Sequence, residues 1–147
     1  MYQENIWKTA DEKKAEKITS FCEGYKDFLS YAKTERLAVE ETVKIAKAHG
    51  YKTLDEYKTL KAGDKVYFIN KNKNVILYKI GKKPIREGLR ILGAHIDSPR
   101  LDLKQNPIYE SEGFALLDTH YYGGIKKYQY VTKPLAIHGV VCKKNGE

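Results

Sequence analysis

The sequence predicts an α/β fold in which helices come first and strands follow. Three observations predict it. Apolar residues recur at helical spacing from Asp11 to Gly50, the pattern becomes strand-like after Gly63, and a near-continuous apolar run from Leu89 to Ala94 fits a strand buried on both faces. A chain of 147 residues that is 41% apolar and carries 12 tyrosines has enough apolar surface to offset the entropy of ordering itself, so it is expected to fold.

The first helix is predicted between Asp11 and Lys33. Ile18, Phe21, Cys22, Tyr25, Phe28, Leu29 and Ala32 fall at i, i+3, i+4, i+7 and define one face for burial. Thr34 is suited to cap a second helix, with Glu35 favoured in its first turn by the helix dipole. Val39, Val43 and Ala46 lie on one face, and Gly50 is the stop. His49, beside that stop, reads as a last-turn histidine and not as a ligand. The segment YKTLDEYKTL predicts a short helical turn begun at Thr53. KVYFIN and VILYKIG, separated by the polar KNKN, predict a β-hairpin rich in β-branched and aromatic residues.

The run that ends at Ala94 is read as a third strand, which places His95 and Asp97 at its carboxyl end. Open α/β sheets usually hold their ligands at such ends. Beyond Pro99, LDLKQ, GFALLDTHYYGG and KPLAIHGVVCKK are strand-like with no helical period, so this part is expected to be all-β. Asn145-Gly146 is a strong hairpin signal without a returning strand, which predicts a chain cut short.

Lysine and arginine number 27 against 19 acidic residues, a net charge of +8. The lysines are spread from Lys8 to Lys144 and form no basic block, so no nucleic-acid partner is expected. Tyr121, Tyr122, Tyr128 and Tyr130 fit a protein interface better than base stacking. Cys22 and Cys142 form no CxxC pair and are expected to be buried thiols. The amino terminus has no apolar leader core, and no run approaches the roughly 20 apolar residues that span a bilayer. No membrane partner is expected, and the expected location is cytoplasmic.

His95 and Asp97 share one face of an extended segment, because side chains two apart point the same way. A neutral imidazole is a good zinc ligand, and a carboxylate that accepts its second N–H fixes the tautomer. By spacing alone the motif is weak, and the pair reads first as a strand end in which Asp97 caps the Ser98-Pro99 turn. His120 and His138 alternate with apolar neighbours and read as strand-face histidines. Glu110 and Asp118 stay unassigned.

The segment LGAHIDSPRLDLKQNPIYESEGFALLDTHYYGG resembles the first metal motif of the M18 family of zinc aminopeptidases, the aspartyl aminopeptidase and aminopeptidase I group. That family has an H-x-D-S-P sequence after a strand, then a K-x-N-P-like stretch, a Tyr-x-S and a Tyr-Gly-Gly. Upstream, LAVEETVKIAKAHGYKTLDEY and LKAGDKVYFINKNKNVILYKIG are similar to the family's helix and hairpin, in the same order. The resemblance implies that residues 1–99 are the N-terminal part of a zinc-peptidase-like catalytic domain. Residues 100–147 would begin an inserted β-rich oligomerisation domain. It further implies that His95 binds one of two zinc ions, with Asp97 supporting it in catalysis, for removal of N-terminal residues from peptides by a twelve-subunit homo-oligomer.

Two departures accompany the resemblance. KTERL stands where the family commonly has Ser-Pro-x-His, and IKKYQYVTKP stands where a Trp-x-Asp-Arg segment usually follows Tyr-Gly-Gly. They bear on entrance contacts, subunit packing and substrate preference. The resemblance also places the bridging aspartate, a Glu-Glu pair, a further acidic ligand and a distal histidine in later motifs. The 147 residues alone are therefore expected to be inactive, since a catalytic zinc needs about three protein ligands. The alternative is a non-catalytic truncated or remnant chain that acts through protein–protein contacts.

Overall fold

The computed structural model describes residues 3–146, and the chain divides into two compact units, Met1–Gly93 and Ala94–Glu147.

The first unit opens with three helices whose caps are written in the sequence. α1 (Ile6–Thr9) is capped by Asn5, whose side chain accepts from the Trp7 amide at 3.0 Å. α2 (Glu12–Tyr31) is capped by Asp11, which accepts from the Lys14 amide at 2.8 Å. α3 (Glu35–Ala48) starts as expected at Thr34, whose hydroxyl accepts from the Leu37 amide at 3.2 Å. Each of these oxygens satisfies an amide that the first helical turn leaves without a partner. α3 stops where expected. Gly50 takes φ +81°, and the Tyr51 amide reaches back to the Ala46 carbonyl at 3.0 Å, an ending that favours glycine because it lacks a Cβ.

β1 (Lys52–Thr53) runs parallel to β2 (Lys65–Asn70), which pairs antiparallel with β3 (Asn74–Lys79). The expected hairpin is present. It turns through Lys71 and Asn72, both at positive φ, and the Lys73 amide donates to the Asn70 carbonyl at 3.0 Å. The helical turn expected from Thr53 is a single 3-10 turn, Leu54–Glu56. Its Glu56 carboxylate accepts from the Thr53 amide at 2.8 Å and from the Thr53 hydroxyl at 3.0 Å.

The core of this unit is small. Ala38, Val39 and Ala46 of α3, which packs on β2 and β3, are buried with Val66 and Tyr67 of the central strand and Ala32. The apolar stripe of α2 differs from expectation. None of α2 is buried, and Phe21 is 77% exposed. α2 is tied to α3 at its end, where the Tyr31 hydroxyl donates to Glu40 at 2.9 Å and Ala32 packs. Among the described residues no second layer covers the rest of the stripe. The two cysteines expected to be buried are also exposed, Cys22 because it lies on that stripe and Cys142 because it lies in an irregular segment.

The expected third strand, Leu89 to Ala94, is irregular and exposed, with Leu92 fully accessible. A strand is stabilised by pairing its N–H and C=O groups with neighbours, and no strand lies alongside this run among the described residues. Apolarity marks the segment but does not supply its ladder.

The second unit is built on a ribbon of two strands, β4 (Arg100–Ser111) and β5 (Phe114–Tyr122). They turn through Glu112 and Gly113, both at positive φ. The ladder is interrupted between Leu103 and Ile108, where Pro107 has no N–H to donate. Two expectations are corrected here. A one-turn helix, α4 (Lys127–Tyr130), interrupts the part read as all-β, and KPLAIHGVVCKK is irregular, so His138 is an exposed loop residue and not on a strand. β5 pairs with β4, and residues 133–144 find no partner strand among the described residues. No helix among the described residues is long and apolar enough to cross a membrane.

Two consequences are measurable. Thr34→Ala is expected to lower stability by about 1 kcal/mol through loss of the cap, and Val39→Ala by roughly 2 kcal/mol, two buried carbons plus a small cavity. Urea unfolding checks both, and an unchanged midpoint for either contradicts the packing described. The Glu56 carboxyl is held below the usual carboxylate range, first by the Thr53 amide and then by its hydroxyl. A lowered carboxyl pKa stabilises the fold fully above the unfolded value and loses that contribution as pH falls through the folded one. Hydrogen exchange at the Thr53 amide should therefore be slow at neutral pH and lose its protection on acidification, and Glu56→Gln should remove the pH dependence.

Candidate metal centre

The site is assembled at the base of the β4–β5 ribbon. In the ladder Arg100 stands opposite Tyr122, so the last residue of β5 lies beside the loop that leads into β4. Just beyond it the chain turns at Gly123, with φ +72°. A Cβ there would lie 3.3 Å from Cβ and Cγ of Pro99, so glycine suits both the backbone conformation and the close approach. The pairing of Arg100 with Tyr122, and the seat of Gly123 on Pro99, hold the residues that follow His95 against the end of β5.

Within this frame the His95 imidazole Nδ1 lies 3.0 Å from Asp97 Oδ1 and 3.1 Å from the Asp97 carbonyl oxygen. The other carboxylate oxygen, Oδ2, accepts from the Tyr122 hydroxyl at 2.7 Å. These two bonds, the tyrosine's first and the imidazole's second, hold the Asp97 carboxyl below the usual carboxylate range, so it is ionised at neutral pH. Both neighbours of Nδ1 are acceptors only. The proton of the neutral ring is therefore on Nδ1, and Nε2 carries a lone pair. The imidazole is 83% exposed and Asp97 34%, so that lone pair is open to a ligand.

Arg100 frames the site from β4. Its guanidinium stacks over the Tyr122 ring, 4.3 Å from the centroid, and its Nε donates to Asp102 at 2.7 Å. Nη1 also donates to the Ser98 carbonyl at 3.3 Å.

The structure thus brings together the two residues singled out in the sequence, His95 and Asp97, and adds Tyr122 and Arg100. The other histidines and acids stand apart. His120 stacks on Tyr121 with ring centroids 5.3 Å apart, and His49 Nδ1 lies 2.9 Å from the Ile45 carbonyl at the end of α3. Asp118 pairs with Lys104 at 3.0 Å, and Glu110 accepts from the Gly113 amide at 2.8 Å, binding its own hairpin turn. Among the described residues no three His, Cys, Asp or Glu side chains converge as a metal cluster. The donor set at His95 fits one zinc ligand with a carboxylate behind it, an arrangement common to zinc histidines, and would supply a single position of a coordination sphere.

Residues 28–147 match the family model described as aminopeptidase I zinc metalloprotease, M18. The chain belongs to the M18 family. A probable M18 family aminopeptidase 1 from Clostridium acetobutylicum is 53% identical over 146 residues, which cover 97% of this chain and 31% of that protein. Among solved structures, aminopeptidase I from Borrelia burgdorferi B31 is 43% identical with a TM-score of 0.90, covering 98% of this chain and 36% of that one. The M18 aminopeptidase from Thermotoga maritima is 40% identical with a TM-score of 0.88, covering 100% and 32%. This M18 chain therefore spans about a third of the length of the relatives it matches.

The signal for Tyr122 was present in the sequence as the Tyr-Gly-Gly whose tyrosine ends β5. Its partner was not legible there, because 25 residues separate it from Asp97 and the hairpin register closes that gap. Gly123→Ala tests the frame. It should weaken the base of the ribbon by about 1 kcal/mol, since alanine is strained at this φ and makes a tight contact with Pro99. Faster hydrogen exchange at the Arg100 and Tyr122 amides, with protection near Ser111 and Phe114 unchanged, is the expected result.

Proposed function

We propose that this chain is the N-terminal portion of a two-zinc aminopeptidase and that His95 binds one zinc through Nε2 while Asp97 orients the ring. The observation that carries the reading is the Nδ1 contact with the ionised Asp97 carboxylate, which leaves Nε2 as an exposed lone pair in a chain of a zinc metalloprotease family. When bound, zinc supplies Lewis acidity and a water of lowered pKa for hydrolysis of a peptide bond. The chain's own part is to hold the imidazole neutral, in one tautomer and in one orientation.

In this reading residues 1–99 belong to the catalytic domain and residues 100–147 open an inserted β-rich domain used for subunit contacts, a role that the β4–β5 ribbon suits. The substrate is the N-terminal residue of a peptide, the location is cytoplasmic, and the assembly is a homo-oligomer of twelve subunits. The remaining ligands and the general base come from polypeptide that corresponds to the other two thirds of the relatives' length, and the 147 residues alone are inactive. A second reading, a non-catalytic chain acting through protein contacts, draws support from the lack of a three-ligand cluster among the described residues and from the uncovered apolar stripe of α2.

The test is made on the chain extended to the full length of its relatives. Hydrolysis of aminoacyl chromogenic substrates should disappear with a chelator and return with zinc. His95→Ala should lower kcat/KM by about 10³-fold, equivalent to roughly 4 kcal/mol of the stabilisation a metal provides. Hydrolysis indifferent to chelation would overturn the first reading, and assembly without hydrolysis or zinc uptake would establish the second.

A further inference from the structure

We propose that Tyr122 is a positioning residue for the His95 ligand, acting through Asp97 to hold the imidazole in the Nδ1–H tautomer with Nε2 presented outward. This inference rests on the reading of His95 as a zinc ligand and names a residue that acts on that site without touching it.

The argument begins with the carboxylate. An aspartate in an irregular loop, 34% exposed, is free to turn about its Cβ–Cγ bond and to present either oxygen, or water, to a neighbouring ring. Here the two oxygens are given separate tasks. Oδ1 faces His95 Nδ1 at 3.0 Å, and Oδ2 accepts the Tyr122 hydroxyl at 2.7 Å. An O–H donor to an ionised oxygen makes a short, charge-assisted bond, stronger than a neutral one. With Oδ2 anchored, rotation of the carboxylate is blocked and Oδ1 stays on the imidazole.

The phenol is itself held from three directions. Its backbone is the last rung of the ribbon, opposite Arg100, its ring lies under the Arg100 guanidinium at 4.3 Å, and Gly123 turns against Pro99 immediately after it. Arg100 is in turn braced by Asp102 at 2.7 Å. A sheet register therefore fixes the phenol, the phenol fixes the carboxylate, and the carboxylate fixes the imidazole.

The deciding experiment measures the His95 tautomer by long-range proton–nitrogen NMR in the metal-free 147-residue chain at a pH where the ring is neutral. The unmodified chain should show Nδ1 protonated and Nε2 bare. Tyr122→Phe, which keeps the ring and its stack with Arg100, should move the population towards the Nε2–H form while the amide spectrum of β4 and β5 is kept. Tyr122→4-aminophenylalanine, which restores a donor, should move it back. In the full-length protein Tyr122→Phe should also weaken zinc binding by about tenfold, the lower end of what loss of a partner behind a ligand does.

Unchanged ring-nitrogen shifts in Tyr122→Phe would overturn the proposal, as would an unmodified chain whose His95 already favours Nε2–H. Should the Phe variant lose the ribbon, a second measurement needs no substitution. At low temperature the Tyr122 hydroxyl proton should exchange with water more slowly than those of the exposed Tyr25 and Tyr128, and equal rates would overturn the proposal. A tautomer that responds to Tyr122 in a full-length protein that takes up no zinc would retain the positioning role and refute the metal reading, so the two fail separately.

Discussion

The site depends on one constraint, the register that sets Arg100 opposite Tyr122 in the β4–β5 ribbon. Side chains alternate along a strand, so a slip of one residue would carry Tyr122 to the other face and bring Tyr121 into its place. The hydrogen bond to Asp97, the stack with Arg100 and the seat of Gly123 on Pro99 would all be lost together. The ribbon tolerates an irregularity between Leu103 and Ile108, at Pro107, because that disruption lies several residues from the base where the site is built.

The first unit is organised by a different rule. Its order comes from local signals that agree with one another: Asn5, Asp11 and Thr34 as caps, Gly50 as a stop, and a hairpin turn at Lys71-Asn72. What these elements bury is modest, six apolar side chains among the described residues, centred on α3 and β2, while Phe21, Tyr25 and Leu29 of α2 remain exposed. Local chemistry is sufficient to start and end helices, whereas the covering of a face depends on a second layer.

The chemistry at His95 follows from acceptors placed where only a donor can face them. Two oxygens of Asp97 surround Nδ1, so the proton has one place on the neutral ring and the lone pair has the other. Exposure of the imidazole leaves that lone pair open to solvent, which is the observation on which the proposed zinc-ligand role of His95 rests.

By itself the sequence determined the α/β class, the limits of α3, the hairpin at Lys65–Lys79, the His95–Asp97 pair and, through motif order, the M18 resemblance. These are legible because caps, turn residues and side-chain period act within a few positions of one another. The tertiary structure decided what distance along the chain conceals: that Tyr122 closes on Asp97 across 25 residues, that Arg100 stacks upon it, and that Glu110 and Asp118 have other partners. It also decided against strands at Leu89–Ala94 and at residues 133–144, and against burial of Cys22 and Cys142. The physical reason is common to these cases. Apolarity and β-propensity state what a segment is able to do, but a ladder and a buried face need a partner, and only the folded chain specifies which partner is there.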